Sequence, residues 1–109
     1  MTHGMHLSPE SFAKIKSGQT SIDPRVYDEK RQRVFPGDTI IFTNSANETE
    51  KVTVKVMGIS RFASFADLYA TLGKLGGVNT PGEMRQYYPE DEEKKYGVVG
   101  IHFQRLFQK

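Results

Sequence analysis

The sequence has no cysteine, and this absence excludes a disulfide framework and every thiolate-based metal or redox site. It also lacks an apolar run of the roughly 20 residues that a membrane-spanning helix needs. The first residues, MTHGMHLSPE, show no basic stretch followed by an apolar one, so they do not read as a secretory signal. We therefore predict a cytoplasmic protein with no membrane partner.

The overall composition is that of an ordinary globular protein. Hydrophobic residues make up 37% of the chain and charged residues 26%, and its 109 residues suffice for one modest core but not for two. We expect a single domain over residues 1–109. The net charge is only +2, but bases are concentrated in residues 11–37 and acids in residues 83–95, a distribution that indicates an anionic partner.

Alternating apolar and polar residues predict several short strands. The clearest case is residues 52–56, where three valines share one face and lysine and threonine side chains share the other. Because Pro24 cannot donate to a strand ladder, the extended segment around it is expected at the edge of a sheet. The expected strands include residues 5–7, 20–27, 39–43, 51–56 and 97–107.

Helix signals lie between these strands. Ser8 and Ser64 can each accept a hydrogen bond from the free N–H groups of a first helical turn, and Pro9 suits the first helical position. The acidic residues after Pro89 suit the positive end of a third helix. Strands this close together leave no room for repeated βαβ units. We therefore predict an α+β, mainly β fold, in which a mixed or antiparallel sheet of about six strands curls into a small barrel with two or three helices around it.

The most informative stretch is residues 18–38, GQTSIDPRVYDEKRQRVFPGD, in which charged and aromatic residues interrupt what should be a strand–turn–strand unit. Small domains usually spread such residues thinly over a solvated surface. The stretch is therefore the best candidate for contact with a nucleic acid or a nucleoside. Its candidate residues are Thr20, Asp23, Arg25, Tyr27, Lys30 and Arg31.

The first of these residues suit the recognition of a base and its phosphate. The Asp23 carboxylate can accept hydrogen bonds from an exocyclic amine and an imino N–H on a base edge. Arg25 has a planar fork of donors that matches a phosphate or a carboxylate. The structural alternatives are a turn-capping role for Asp23 and an ion pair between Arg25 and Asp23 or Asp28.

The remaining residues suit contact with a nucleic-acid backbone. Lys30 and Arg31 would meet phosphates, contacts that position the ligand without reading its sequence. Tyr27 would stack on an unpaired base, as aromatic side chains commonly do. The alternatives are a solvated helical turn for the two cations and a place in the core for the tyrosine.

Three stretches of the chain occur in an order known from one family. They are HGMHL with the helix that follows it, the run from GQTSIDPR to GDTIIF, and YYPEDEEKKYGVVGI. Together these stretches resemble the ASCH domain, a branch of the PUA-like barrels, over nearly the whole chain. The resemblance implies a PUA-like β-barrel with helices packed around it. It also implies RNA or a nucleoside as the partner, since ASCH domains are proposed to bind RNA and some act on modified nucleosides or on RNA itself.

The chain departs from the family pattern G-x-K-x-x-E-x-R at two positions. Gly18 and Arg25 match, but Thr20 stands in place of the lysine and Asp23 in place of the glutamate. In the members that resemble acetylcytidine amidohydrolases, the lysine is catalytic and a downstream glutamate assists. The departure therefore favours binding over catalysis.

The first hypothesis is an RNA-binding or nucleoside-binding module that uses a cleft lined by the segment from Gly18 to Arg33. In that module Arg25, Lys30 and Arg31 meet phosphates, as described above. Strongly salt-dependent binding is its expected mark.

The alternative is a small hydrolase that acts on a modified nucleoside or on RNA phosphodiesters. Asp23 would then be the general base, Arg25 would stabilise an oxyanion or phosphate, and Thr20 would be a positioning or nucleophilic hydroxyl. This hypothesis needs a lysine from another part of the chain, such as Lys30 or Lys74.

Two further possibilities have less support in the sequence. His3, His6 and His102 have no acid or cysteine at a ligating spacing, so we expect neither a metal nor another cofactor. The acidic residues 90–93 could form a surface for a protein contact, although nothing in their spacing favours it.

Overall fold

The computed structural model describes residues 1–76 and 88–106. These residues form a curled half-barrel with three α-helices and one 3-10 turn at Arg31–Arg33. The strands are β1 (Thr2–Leu7), β2 (Ile22–Val26), β3 (Thr39–Asn44), β4 (Asn47–Phe62) and β5 (Val98–Arg105). The helices are α1 (Pro9–Lys16), α2 (Phe65–Gly76) and α3 (Glu90–Tyr96).

The described strands form one mixed sheet in the order β1-β3-β4-β5-β2. The β1–β3 pair is parallel, and the other three pairs are antiparallel. The predicted mixed, mainly β fold with surrounding helices is confirmed, but the described sheet has five strands where about six were expected. One long strand, β4, accounts for much of the sheet, since its first part pairs with β3 and its later part with β5.

Strand β4 begins earlier and ends later than its alternating pattern indicates. Within the polar stretch at residues 44–50, only Ser45 and Ala46 form a turn, and residues 47–50 already belong to β4. The turn is held by the Asn44 side chain, whose Oδ1 accepts from the Ala46 N–H at 3.0 Å. At the other end, a register shift between Val56 and Gly58 hides the continuation of the strand from a period-two pattern.

The apolar residues pack on both faces of the sheet. The inner face carries Phe42, Ile101 and their neighbours, and α1 covers it with Phe12 and Ile15. Full burial of each such side chain stabilises the fold by about 1.5–3 kcal/mol. The outer face packs against α2, and the residues of that second cluster are Ile22, Val26, Phe65, Leu68, Leu72 and Val98.

Gly100 sets the distance between α2 and the outer face. A Cβ atom at this position would lie 3.0 Å from Leu72 Cδ1, closer than two carbon atoms pack. The bare backbone of β5 therefore makes room for the Leu72 side chain, which would have to shift by a few tenths of an ångström to admit a Cβ at position 100.

The helices begin at the residues predicted to cap them. Ser8 Oγ accepts from the Ser11 N–H at 3.3 Å, and Ser64 Oγ accepts from the Asp67 N–H at 3.1 Å. The interpretation of residues 90–93 as one acidic surface is wrong in part, because Glu93 is buried and its Oε2 accepts from the Phe65 N–H at 2.7 Å. A carboxylate at this end of α2 meets free N–H groups and the positive end of the helix dipole.

Candidate functional site

Strand β2 carries the centre of the 18–38 stretch and lies at an edge of the described sheet. Gly18 ends the preceding turn with φ +82°, a conformation that costs glycine little. The edge position agrees with the prediction made from Pro24, which needs no partner for an N–H. Because Asp23 and Arg25 lie opposite Ile101 and Val99, they share the inner face of the half-barrel with those core residues.

Side chains, not a backbone ladder, join β2 to the other edge strand. Arg25 Nη2 donates to the His6 carbonyl oxygen at 3.1 Å, and Lys30 Nζ donates to the Gly4 carbonyl oxygen at 2.8 Å. Both carbonyls belong to β1. The gap between β1 and β2 is therefore bridged by two cations, which satisfy backbone acceptors that a neighbouring strand would otherwise take.

Asp23 and Arg25 form a buried ion pair in this gap. Arg25 Nε donates to Asp23 Oδ2 at 2.7 Å, and the two side chains are only 10% and 5% exposed for Arg25 and Asp23. Burial on its own would lower the pKa of Arg25, but the Asp23 carboxylate and the neighbouring Tyr88 side chain outweigh it and raise the pKa above its ordinary value. The guanidinium is thus charged at physiological pH, and it fixes the orientation of the carboxylate.

A small cleft between α1 and β2 opens beside this pair. Ser11, Lys14 and Ile15 line it from α1, because residues three and four apart share one helix face. Its volume is about 30 Å³, about the share of one water molecule in the liquid. From the other side it is lined by Thr20, Ile22, Asp23 and Pro24.

The cations that follow β2 lie outside the small cleft. Arg31 Nη1 donates to Asp28 Oδ2 at 3.0 Å in the 3-10 turn. Lys30 is exposed, and its pKa is lowered by partial burial and by the neighbouring positive charges of Arg31 and Arg25. Together with Arg33 it lines an open hollow of about 510 Å³, whose other lining residues are Asp28, Glu29, Glu92 and Tyr96.

Tyr27 packs against the inner core and is partly buried. The guanidinium of Arg61, a residue of β4, lies 4.3 Å from the centre of the Tyr27 ring. This distance is within the range of a cation–π contact. Arg61 therefore covers a ring face that a base would use for stacking.

The structure brings some of the sequence-predicted residues together and separates others. Thr20, Asp23 and Arg25 lie at or beside the small cleft, whereas Lys30 and Arg31 lie toward the open hollow. Lys14 was not among the predicted site residues. The helical spacing of Ser11 and Lys14 indicates that the two side chains share one face of α1. It does not indicate that this face lies against β2, because that contact depends on tertiary packing.

Another polar pair lies away from the cleft. The Ser60 hydroxyl and His102 Nε2 are 2.8 Å apart on neighbouring strands β4 and β5.

In residues 1–76 and 88–106, no group of three or more histidine or acidic side chains is placed to hold a metal ion. The side chain of Lys74, proposed above as a replacement lysine, lies outside the described residues, as does Tyr87.

Family comparison decides the relationship of the chain. The model of the ASCH domain matches residues 5–107. The chain belongs to the ASCH domain family. The sequence resemblance and the PUA-like fold expected from it are thereby confirmed.

Solved structures of similar chains agree with this ASCH fold. The hypothetical protein PH0355 is 39% identical, with a TM-score of 0.81 over 97% of this chain and 100% of that chain. Protein PF0455 from Pyrococcus furiosus is 35% identical, with a TM-score of 0.74 over 99% and 100%. ASCH from Zymomonas mobilis shares the fold at 15% identity, with a TM-score of 0.62 over 93% of this chain and 65% of that one. No curated protein sequence is significantly similar to this chain.

The helices of this ASCH domain bear on the membrane prediction. In the part of the chain that the structure describes, no helix is both long enough and apolar enough to cross a bilayer.

Proposed function

We propose that this ASCH domain binds single-stranded RNA, or a nucleoside, through the cleft lined by the segment from Gly18 to Arg33. One observation carries the proposal: a buried carboxylate, Asp23, lines a cleft that also receives Lys14 and Thr20. A carboxylate, an ammonium group and a hydroxyl together offer the kinds of acceptor and donor that recognise the polar atoms of a base. Membership of a family whose members are proposed to bind RNA agrees with this chemistry.

Arg25 supports the site by orienting Asp23. Arg25 donates to Asp23 Oδ2 and to the His6 carbonyl oxygen. Its guanidinium group is therefore used for contacts within the protein. The ion pair keeps the carboxylate in one direction, which lowers the entropy lost when a ligand binds. In this proposal Arg25 is a positioning residue, and a phosphate is met by cations closer to solvent.

Lys30 is the cation best placed to meet a phosphate. It is exposed at the rim of the open hollow, next to Arg33. Arg31 contributes positive potential from its place beside Asp28. Tyr27 could stack on a base only after Arg61 moved from its ring.

Salt-dependent binding of labelled single-stranded RNA tests the proposal. For each phosphate contact, we expect log K to fall by about 0.7 for each unit of log salt concentration. Lys30→Ala should weaken binding and reduce this slope by one contact. Lys55→Ala is the matched control, because Lys55 is an exposed lysine on β4 that lines neither cleft. No binding at low salt, or an equal loss in both variants, would contradict the proposal.

Hydrolysis of a modified nucleoside is the second candidate function. It is favoured by the presence of Lys14 in the cleft with Asp23 and Thr20, because Lys14 supplies from α1 the lysine that the family pattern has at position 20. Asp23 would act as the general base. Incubation with a panel of acylated nucleosides, followed by mass spectrometry, should yield a deacylated product that Lys14→Met and Asp23→Asn abolish. Absence of any product from the folded protein would exclude this candidate.

A further inference from the structure

The register shift in β4 turns Arg61 toward the inner face of the half-barrel. Lys55 precedes the shift and alternates with the core valines on either side of it, so its side chain points away from that core. Arg61 follows the shift and lies opposite Val99, which belongs to the inner core. A bulge in a strand re-aims the side chains that come after it. Arg61 and Lys55 are therefore two exposed cations of one strand that lie on opposite faces of the sheet.

Tyr27 gives the Arg61 side chain a fixed support. The centre of its ring lies 4.3 Å from the Arg61 guanidinium carbon, and its side chain packs against the inner core. Its backbone is held as well, because its N–H donates to the Gly97 carbonyl oxygen at 3.0 Å and its own carbonyl oxygen accepts from Gln32 Nε2 at 3.1 Å. The electrons of the ring face attract the guanidinium. Arg61 is thus held over Tyr27 before any ligand arrives.

The N–H donors of Arg61 are available to a ligand. A guanidinium has five such donors, and in the part of the chain that the structure describes no carboxylate, carbonyl or hydroxyl oxygen accepts from Arg61. Two arginines of the 18–38 stretch differ in this respect, since Arg25 donates to Asp23 and Arg31 donates to Asp28. The exposed Arg61 side chain therefore keeps both its charge and its hydrogen-bonding capacity for a partner.

We infer that Arg61, held on the ring of Tyr27, binds a phosphate group of the RNA; this inference rests on the RNA binding proposed above. The planar fork of a guanidinium matches two oxygens of one phosphate. A side chain that already rests on a ring loses less conformational entropy when it binds. Arg61 is then a binding residue and Tyr27 a positioning residue, whose ring supports the arginine and stays covered by it.

Arg61→Ala and Lys55→Ala form a matched pair, because each removes one exposed cation from β4. We would measure the affinity of a labelled oligouridine by fluorescence anisotropy over a series of salt concentrations. Arg61→Ala should lower the slope of log K against log salt by about 0.7, and it should weaken binding about fivefold at about 0.1 M salt, because one phosphate contact is lost. Lys55→Ala should leave the slope and the affinity unchanged.

Arg61→Lys separates the charge of Arg61 from its shape. The lysine keeps the positive charge but has no planar fork for two phosphate oxygens. We expect this variant to keep the salt slope of the unaltered protein and to bind about threefold more weakly. A variant that binds as tightly as the unaltered protein would overturn the two-oxygen contact.

Variants of Tyr27 test its role as a support. Tyr27→Leu should weaken binding about threefold without a change in salt slope, because it removes the cation–π contact and leaves the charge. In the Arg61→Ala protein the same change should have no further effect. A further loss there would mean that Tyr27 meets the RNA directly, and it would overturn the positioning role. Tyr27→Phe keeps the ring and should bind normally, so its loss of binding would overturn that role even if Tyr27→Leu failed to fold in a thermal melt.

The outcomes distinguish this inference from the function on which it rests. An unchanged salt slope in Arg61→Ala, or an equal loss in Lys55→Ala, would overturn the role of Arg61, while binding of RNA by the unaltered protein would leave the proposed function intact. No binding of RNA by the unaltered protein at low salt would overturn both.

Discussion

Two aspartate–arginine pairs in residues 18–38 have similar chemistry and different surroundings. Asp23 and Arg25 are 2.7 Å apart and nearly buried, whereas Asp28 and Arg31 are 3.0 Å apart with the aspartate 33% exposed. The first pair lies on a strand, where residues i and i+2 share a face. The second lies in a 3-10 turn at the surface. Local backbone geometry therefore decides which pair becomes part of the cleft.

The difference in burial between the two pairs reflects the gap between the edge strands β1 and β2 of the half-barrel. The Asp23–Arg25 pair points to the inner face, on the side where the edge strands β1 and β2 of the described sheet have no ladder between them. A buried pair of this kind is costly to break, because the remaining charge has no water around it. The Asp28–Arg31 pair holds the turn that follows, and solvent reaches it from the side of the more exposed aspartate and screens it in part.

The largest expected effect is that of Arg25→Met. It leaves the Asp23 carboxylate buried without its partner, and we expect the free energy of unfolding to fall by about 3–5 kcal/mol. Urea denaturation followed by circular dichroism measures the loss. Asp23→Leu in the same chain should restore part of it, because two apolar side chains carry no unpaired charge. If the double variant were less stable than the single one, burial of the charge would not be the cause.

Glu93→Ala should lower the free energy of unfolding by a smaller amount. Glu93 is a buried acid whose partner is the Phe65 backbone N–H, whereas the partner of Asp23 is an arginine. The variant leaves the Phe65 N–H without its 2.7 Å acceptor, and an unsatisfied buried donor costs about 1–3 kcal/mol. The same denaturation experiment measures it. Glu92→Ala is the control, since Glu92 is exposed on the same helix, and a similar loss in both would refute a capping role.

Asp38, a third aspartate of the stretch, should show its effect through pH. Hydrogen bonds from the His3 ring and from the Phe35 N–H, with help from the Met1 ammonium, outweigh partial burial and lower its pKa to about 2. Because this is below the unfolded value of about 3.9, the stabilisation is present above about pH 4 and is lost as the pH falls through about 2.

A melting series against pH measures this contribution of Asp38. The unaltered protein should melt above Asp38→Asn at neutral pH, and the two melting temperatures should converge as the pH approaches about 2. A constant gap between them over the whole range would show that the carboxylate charge has no part in stability.

The smallest effect is expected for Arg31→Ala. Removal of one partner of a partly exposed pair should change the free energy of unfolding by less than about 1 kcal/mol, and added salt should reduce the change further. A loss as large as that of Arg25→Met would remove the distinction between the two pairs.

Much of the fold could be predicted from local pattern. The valine alternation of β4, the serine caps of α1 and α2 and the edge position of Pro24 all follow from residues close in sequence. The later part of β4 could not, because the shift before Gly58 breaks its alternation. The parallel pairing of β1 with β3 likewise depends on contacts between distant segments.

The candidate site also contains some residues whose proximity could be predicted from the sequence and others whose proximity could not. Thr20, Asp23 and Arg25 are neighbours in sequence, so their proximity could be predicted from the segment alone. Lys14 shares the cleft with Asp23, and Tyr88 interacts with Arg25, only because other elements pack against β2. The cover that Arg61 provides for Tyr27 also crosses the sheet, and no local pattern indicates it.

The position of β5 in the sheet has a consequence for synthesis on the ribosome. This strand comes late in the chain, yet it lies between β4 and β2. In the described sheet β2 has no other ladder partner, and each pair in that ladder joins residues from opposite ends of the sequence. Such distant pairing is slow to nucleate. The cleft wall that carries Asp23 is therefore completed only after β5 has emerged, and until then β2 lacks its ladder partner in the described sheet and is exposed to other nascent chains.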